Sequence, residues 1–234
     1  FSTKTIKLNF ACMTKYQDNF PFPVLFEPEK YSNIFPDILS KNKYRQLRIA
    51  ETEKYAHVTY FFNGGREEPF SNEERILVPS PKVDTYDEMP EMSARELTEK
   101  VLYAISNQTH DAIIMNYANP DMVGHTGDLK AAKRAIEVVD KCIGEIREIS
   151  KKHNMAIFLT SDHGNLEMMI DPKTKQIHTA HTTLPVPLIL DCNKKIGLKS
   201  KGKLADIAPT ILEFLDINKP IEMTGVSLLK SNNE

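Results

Sequence analysis

Residues that commonly bind metal ions are concentrated in three short polar segments of the 234-residue chain. Four of the seven histidines lie in these segments, namely His125, His163, His178 and His181. Asp121 and His125 are four residues apart, so one helical turn would place both side chains on one face. Asp162 and His163 are adjacent, and Gly164 after them allows a sharp backbone turn. Carboxylate and imidazole groups are ligands for divalent metals, so the clustering predicts a metal site and favours a binuclear one.

The third segment, from His178 to Thr183, precedes an apolar stretch of strand length. Within it His181 is the better candidate ligand, and His178 either supports another ligand or is exposed. Each segment also has a simple alternative, because an Asp and a His in a surface loop, or a His beside a tight turn, need bind nothing. Histidine is the commonest metal ligand and an uncommon residue, so its recurrence at three places favours the metal site.

One lysine follows another apolar stretch. Glu53 and Lys54 come after the predicted strand Gln46 to Ala50, and a lysine there can neutralise a phosphoryl oxygen as a point charge. An ordinary salt-bridged loop is the alternative. The segment from Asn63 to Arg66 contains two glycines but lacks the Gly-Lys-Ser or Gly-Lys-Thr of phosphate-binding loops, so it carries little weight.

The elements that must position these residues are short apolar runs, typical of strands, alternating with amphipathic stretches typical of helices. The predicted strands are Thr5 to Met13, Gln46 to Ala50, Val58 to Phe62, Ala112 to Met115, Met155 to Leu159 and Val186 to Leu190. The predicted helices begin after Ser93, with a capping box to Glu96, after Asp128 as far as Ile149, and at Leu204 as far as Leu215.

This alternation predicts the α/β class, with a mostly parallel sheet flanked by helices on both faces. The run from Ala112 to Met115 reads as a strand buried on both faces. Active sites of such sheets form beyond the carboxyl ends of the strands, which is where the segments of Asp121 and Asp162 fall. Glu53 and Lys54 are predicted to lie at the other side of the domain.

Composition limits the class of protein. Hydrophobic residues make up 41% and charged residues 26%, and no apolar run approaches the roughly 18 residues of a membrane span. Thirty Lys and Arg are scattered among 32 Asp and Glu, for a net charge of -2, which argues against a nucleic-acid partner. The three cysteines are far apart and form no C-x-x-C pair, and no signal-peptide pattern is visible. We expect a soluble, cytoplasmic protein.

Longer motifs carry a family resemblance from about residue 6 to residue 229. They are Ile49 to Gly65 (IAETEKYAHVTYFFNGG), Ser80 to Val83 (SPKV), Pro90 to Ser93 (PEMS), Asn116 to Gly127 (NYANPDMVGHTG), Thr160 to Asn165 (TSDHGN) and Ala180 to Pro187 (AHTTLPVP). Together they are similar to the cofactor-independent, or 2,3-bisphosphoglycerate-independent, phosphoglycerate mutases. The resemblance implies an alkaline-phosphatase-like fold.

The resemblance also implies an activity and its cofactors. Enzymes of that family interconvert 3-phosphoglycerate and 2-phosphoglycerate in glycolysis through a phosphoserine intermediate, using two Mn²⁺ ions. Mg²⁺, Co²⁺ or Zn²⁺ are alternatives for the same ligand types. By similarity, Asp121, His125 and His181 would hold one ion, and Asp162 and His163 would help to hold the other.

Lys54, with Glu53 beside it, matches a family position that contacts the phosphoryl group. Lys54 is therefore expected to be catalytic, and both residues are expected to bind phosphoglycerate. Leu184 stands where the family usually has Asn, close in sequence to His181.

The chain also departs from the family in extent. In the family the phosphatase-like domain is split around an inserted transferase domain, and the part before the insertion supplies a metal-binding Asp and the nucleophilic Ser. Four prolines between Asp18 and Pro36 predict a linker. Residues 1–28 would then be the end of the transferase domain and the linker, and 29–234 the C-terminal part of the phosphatase-like domain. We expect a monomer, inactive alone, whose partner is the missing N-terminal half.

Two other interpretations use the same residues. A metal-dependent phosphatase or other hydrolase of the same superfamily would share the five ligands, although the Glu53-Lys54 segment and Ser80 to Val83 favour the mutase. The other interpretation is an inactive metal-binding fragment, or a metal-binding regulatory or partner module. Such a module would be stable and have its own partner, whereas a fragment should expose an apolar seam where the missing strands belong.

Overall fold

The computed structural model describes residues 2–4, 6–17, 19–27, 29 and 31–230. The chain forms two compact units, residues 1–32 and 33–234. The boundary predicted near residue 28 falls on a residue outside the described ones. The assignment of the first unit to a transferase domain stays a prediction.

The first unit contains one short parallel strand pair. Strand β1 (Cys12–Thr14) pairs with strand β2 (Val24–Phe26). The strand predicted from Thr5 to Met13 is therefore present only at its end, and its first residue lies outside the described part of the chain. Residues 6–11 alternate in polarity, but all of them are exposed. Alternation alone does not produce a sheet, because a strand also needs a partner strand.

The second unit alternates strands and helices. Its strands are β3 (Gln46–Glu51), β4 (Glu73–Val78), β5 (Ala112–Asn116), β6 (Ile157–Thr160) and β7 (Leu188–Asp191). Its α-helices are α1 (Phe35–Lys41), α2 (Thr52–Ala56), α3 (Ala94–Ser106), α4 (Asn119–Gly124), α5 (Leu129–Lys152) and α6 (Ile207–Phe214). Among the described residues no helix is both long and apolar enough to cross a membrane.

Strand β3 is the centre of a three-stranded parallel sheet. Strands β4 and β5 pair with its two edges, so that Ile49 lies opposite both Ile76 and Met115. All six residues of β3 are buried. A parallel strand with a neighbour at each edge and helices on each face is expected to be buried in this way.

Helices cover both faces of this sheet. On one face Leu47 and Ile49 of β3 pack against α3 and α5. On the other face α1 and α6 pack together through Leu39 and Leu212, and Ala112 of β5 packs against them. The predicted α/β class, with a mostly parallel sheet between two helical layers, is confirmed.

Strands β6 and β7 form a separate, antiparallel pair in which Phe158 lies opposite Leu190. This differs from the parallel units that the alternation predicts. Parallel neighbours need a long crossover, usually a helix, whereas residues 161–187 contain a single 3₁₀ turn at Leu166–Met168. Both predicted strands are present, and each begins two residues later than expected.

The strand predicted from Val58 to Phe62 is wrong. Helix α2 continues directly into a π-helical stretch, His57–Phe61, in which the Thr59 hydroxyl donates to the Tyr55 carbonyl at 2.7 Å. Branched and aromatic residues favour a strand locally, but the helical segment buries Val58 and Thr59, and tertiary packing overrides propensity. The strand in this part of the chain is β4, which the pattern does not predict because charged residues begin it.

The helix starts agree with the sequence in one case and differ in another. Asp128 caps α5 as predicted, accepting the Ala131 N–H at 2.7 Å. Ser93 precedes α3, but the predicted capping box is absent, because its hydroxyl donates to the Pro79 carbonyl at 2.6 Å. The last predicted helix is α6, preceded by a 3₁₀ turn at Leu204–Asp206.

Candidate metal centre

Asp121 and His125 lie one helical turn apart just beyond the end of β5. Helix α4 begins three residues after the strand, with proline in its first turn, and Asp121 lies in that same turn. Proline is favoured there because its fixed φ suits the helix and its missing N–H is not needed. The His125 N–H donates to the Asp121 carbonyl at 3.1 Å, so the predicted turn is present.

The three polar segments meet at the carboxylate of Asp121. Its Oδ1 lies 2.9 Å from His181 Nε2, 3.0 Å from His125 Nε2 and 3.9 Å from His163 Nε2. The rings of His163 and His181 stack with centroids 3.6 Å apart. Ligand atoms of Asp121, His163 and His181 all lie within 4.8 Å of one another. One carboxylate and three imidazoles thus face a common point.

The two remaining predicted residues of these segments lie differently. Asp162 is half exposed, and its Oδ2 is 3.7 Å from His163 Nε2, at the margin of the cluster. The backbone N–H of His178 donates to the Met169 carbonyl at 2.9 Å. Nδ1 of the His178 ring is buried without a hydrogen-bond partner among the described residues. The geometry favours His181 over His178 as the ligand candidate.

Lys54 is also part of this centre, and the prediction that its segment lies at the other side of the domain is wrong. It is 5% exposed, and its ammonium donates to Oδ2 of Asp121, while Asn165 Nδ2 donates to Oδ1 at 3.0 Å. Burial by itself would raise the pKa of Asp121, but the hydrogen bonds from Lys54 and Asn165 outweigh it and lower the pKa to about 2. The carboxylate is therefore ionised at neutral pH and has an ammonium group at one oxygen.

The loop after β4 holds the segment that carries Lys54. Glu51, the last residue of β3, accepts the Ser80 hydroxyl at 2.9 Å, and burial raises the pKa of its carboxyl. Glu53 accepts the Tyr86 hydroxyl at 2.7 Å, and burial together with this contact raises the pKa of Tyr86 to about 12. The structure thus brings Lys54 to the metal cluster and ties Glu53 to the neighbouring loop.

Comparison with known proteins gives the chain its relatives. A sequence profile of the metalloenzyme superfamily matches residues 7–219. The chain belongs to the metalloenzyme superfamily.

Two curated relatives within this superfamily are each 53% identical to the chain. One is the 2,3-bisphosphoglycerate-independent phosphoglycerate mutase of Pseudomonas fluorescens, aligned over 95% of this chain and 44% of that protein. The other is the 2,3-bisphosphoglycerate-independent phosphoglycerate mutase 2 of Methanosarcina barkeri, over 97% of this chain and 43% of that protein. The chain thus spans less than half the length of these relatives.

A solved structure of the same kind is also similar. It is a crystal structure of Leishmania mexicana phosphoglycerate mutase at low cobalt concentration, with a TM-score of 0.85 and 28% sequence identity. The similarity covers 94% of this chain and 44% of that one. Sequence and fold therefore point to the same group of relatives, and the resemblance predicted from the motifs is confirmed.

For a member of the metalloenzyme superfamily, the donor groups fit a divalent ion. His125 Nδ1 lies 2.7 Å from the Thr179 carbonyl and His163 Nδ1 lies 3.3 Å from the Gly164 carbonyl. If each Nδ1 donates to its carbonyl, the Nε2 atom of the same ring is the one left to bind an ion. Fixing the tautomer through the far nitrogen is typical of metal-binding histidines.

Three residues of this centre are missed by sequence reasoning. Asn165 contacts Asp121, and Glu167 contacts Asn165. The third is His57, whose ring has its pKa lowered by burial and then by the positive charge of Lys54. Asn165 could have been found, because it ends one of the polar segments. His57 follows Lys54 by one helical turn, but it directly precedes the stretch predicted as a strand, Val58 to Phe62.

Proposed function

We propose that this chain is the C-terminal, metal-binding part of a 2,3-bisphosphoglycerate-independent phosphoglycerate mutase. The observation that carries the proposal is the convergence of His125, His163 and His181 on Asp121, with Lys54 on the same carboxylate. It occurs in a chain 53% identical to proteins named as that mutase. The substrate would be 3-phosphoglycerate or 2-phosphoglycerate, and the pathway glycolysis.

The residues have separate roles in this proposal. Asp121, His125 and His181 would hold one ion, and Asp162 with His163 would contribute to a second, Mn²⁺ being the proposed metal. Bound there, two cations would lower the pKa of a serine hydroxyl and stabilise charge on phosphoryl oxygens.

Lys54 supplies the positive charge that the chain itself brings to the phosphoryl group. Its ammonium donates to Asp121, and from this position it would supply its charge to a phosphoryl oxygen of the substrate. Glu53 is proposed to assist in binding phosphoglycerate, from a position fixed by Tyr86.

The rest of the mutase is the proposed partner, and the sheet supports this. Strand β5 pairs with β3 at one edge, β6 pairs with β7 at one edge, and the described residues provide no partner for the other edge of either strand. All five residues of β5 are only half-buried, although its sequence predicts a strand buried on both faces. A missing neighbour would explain this exposure.

The two incomplete strands lie between the same helical layers. Ile113 of β5 and Ile157 of β6 pack on the core beside α3 and α5. On the other face Ala112 packs against α6, and Phe158 contacts Phe214 of α6 with ring centroids 5.4 Å apart. We infer that strand material from the remaining part of the protein pairs between β5 and β6 and carries the missing nucleophile. The complete protein is proposed to be a cytoplasmic monomer.

A phosphatase is the second candidate, and one observation favours it. His181 and Asp162 are about half exposed, at 48% and 50% of their side chains, so water reaches the cluster in this chain. A mutase must exclude water from the phosphorylated serine, whereas a hydrolase uses it. Under the mutase proposal the remaining part of the protein covers this opening.

Metal binding tests the proposal. The chain is saturated with Mn²⁺, freed of excess ion and analysed for bound metal, beside a His181→Ala variant. We expect about one retained ion per chain, lost in the variant, because one set of three ligands lies within this chain. Retention unaffected by the variant would contradict the ligand assignment, and rapid hydrolysis of an aryl phosphate by the chain would favour the phosphatase.

A further inference from the structure

A carboxylate outside the ligand set ties together two segments that carry ligands. Oε2 of Glu167 accepts the Asn165 N–H at 2.7 Å, and Oε1 accepts the Thr182 hydroxyl. Asn165 lies two residues after His163, and Thr182 directly follows His181. Glu167 therefore joins the turn beyond β6 to the segment before β7.

The backbone of the same two segments is in direct contact. The Thr182 N–H donates to the Gly164 carbonyl at 2.9 Å, as an isolated antiparallel bridge. A Cβ added to Gly164 would collide with both the Glu167 carboxylate and the Thr182 hydroxyl. Any larger residue here would displace the carboxylate and the hydroxyl, so glycine allows their close approach to the backbone.

Asn165 extends these contacts to Asp121. Asn165 is 5% exposed, and its Nδ2 donates to Asp121 Oδ1 at 3.0 Å and to the Asp121 carbonyl at 3.3 Å. Its Oδ1 lies against Gly124, where an added side chain would collide with it. Asn165 thus fixes the oxygen of Asp121 that His125 and His181 approach.

We propose that Glu167, Asn165 and Thr182 form a clasp that positions Asp121, His163 and His181 for a divalent ion before the ion binds. The inference rests on the proposed metal centre. The three clasp residues are positioning residues, because they would act through the ligands and would not themselves bind the ion. Outer contacts of this kind typically change metal affinity by about 10- to 100-fold.

Two substitutions of Glu167 separate hydrogen bonding from charge. Glu167→Ala removes both contacts. Glu167→Gln keeps them, since its carbonyl can accept the Asn165 N–H and its amide can donate to the Thr182 hydroxyl oxygen. Glu148→Ala, at an exposed position of α5, is the matched control.

The affinity of each protein for Co²⁺ is measured by titration, with the visible absorption of the bound ion as the readout. Glu167→Ala is expected to weaken Co²⁺ binding by about 10-fold or more. Glu167→Gln should stay within about 3-fold of the parent, and Glu148→Ala should be unchanged. Unchanged Co²⁺ affinity in Glu167→Ala would overturn the clasp. A loss of affinity in Glu167→Gln equal to that in Glu167→Ala would also overturn it.

Hydrogen exchange in the metal-free chain tests the clasp without an ion. The Thr182 amide should exchange at least about 10-fold faster in Glu167→Ala, while amides of α5 keep their protection and report an intact fold. An unchanged Thr182 rate would overturn the clasp. A third result is possible, in which the parent chain binds no Co²⁺ and the Thr182 amide still exchanges faster in Glu167→Ala than in the parent. The clasp would then order the two segments, and the proposed metal centre would be wrong.

Discussion

Replacing Lys54 by Met should reveal how strongly the metal-free chain depends on the Lys54–Asp121 ion pair. Both side chains are buried, at 6% and 12% exposure. The pKa of Asp121 is lowered from 3.8 to about 2, after burial has opposed the shift. At 1.36 kcal/mol per pKa unit, folding favours the ionised carboxylate by about 2 kcal/mol.

The loss in the variant should exceed that value, because the methionine leaves a buried carboxylate without its ammonium partner. Breaking a buried pair from one side costs about 3 to 5 kcal/mol, and we expect about 3 kcal/mol for Lys54→Met at pH 7. Removing both charges, in Lys54→Met with Asp121→Asn, should cost less than the sum of the single changes. The coupling between the two positions should be about 2 kcal/mol.

The assay is urea unfolding of the four metal-free proteins in the presence of a chelator. Because folding lowers the pKa of Asp121, its contribution is complete above about pH 4 and disappears as the pH falls through about 2. The exposed pair Lys100 and Glu96, 3.4 Å apart, is the matched control and should couple by about 0.2 to 0.5 kcal/mol. A coupling as small as this for Lys54 and Asp121 would refute the argument.

Three further changes test the surroundings of the site and its scaffold. Burial raises the pKa of Glu51, so the parent chain should lose stability relative to Glu51→Gln as the pH rises above about 4.5. A constant difference between their free energies of urea unfolding from pH 4.5 to 7 would contradict this. Asp128→Ala removes the cap of α5 and should cost about 1 kcal/mol in urea unfolding, with no cost if the cap contact is unimportant. Leu97 is fully buried, and Leu97→Ala should lower the free energy of unfolding by about 2 to 5 kcal/mol. Leu129 is 46% exposed, and Leu129→Ala should lower it by well under 1 kcal/mol. Equal losses in the two variants would refute the assigned core.

Local sequence predicts much of the site because each ligand segment has its own local geometry. The four-residue spacing of Asp121 and His125 becomes one helical turn, with proline at its start. The rule that parallel strands end at one edge of the sheet then explains why β5 delivers Asp121 close to Lys54, which follows β3. Motif content and spacing were sufficient to bring Asp121 and His125 together, whereas the position of Lys54 follows only once β3 and β5 are known to be neighbours.

Tertiary contacts decide the features that the sequence did not predict. The stretch Val58 to Phe62 has strand-forming residues but is helical, because it continues α2 and buries part of its length. The antiparallel direction of β7 depends on what connects it to β6, which residue type alone does not specify. The role of Glu167 arises from contacts with Asn165 and with Thr182, fifteen residues away, and no motif marks such a pair.

The proposed mutase function can be tested in a chimera. This chain replaces the aligned 223 residues of the Pseudomonas fluorescens relative, and the purified chimera is assayed with Mn²⁺ for conversion of 3-phosphoglycerate to 2-phosphoglycerate. We expect mutase activity in the chimera, none in this chain alone, and loss of activity in the chimera with His181→Ala. A folded, metal-loaded chimera that only hydrolyses its substrate, or turnover by this chain alone, would contradict it.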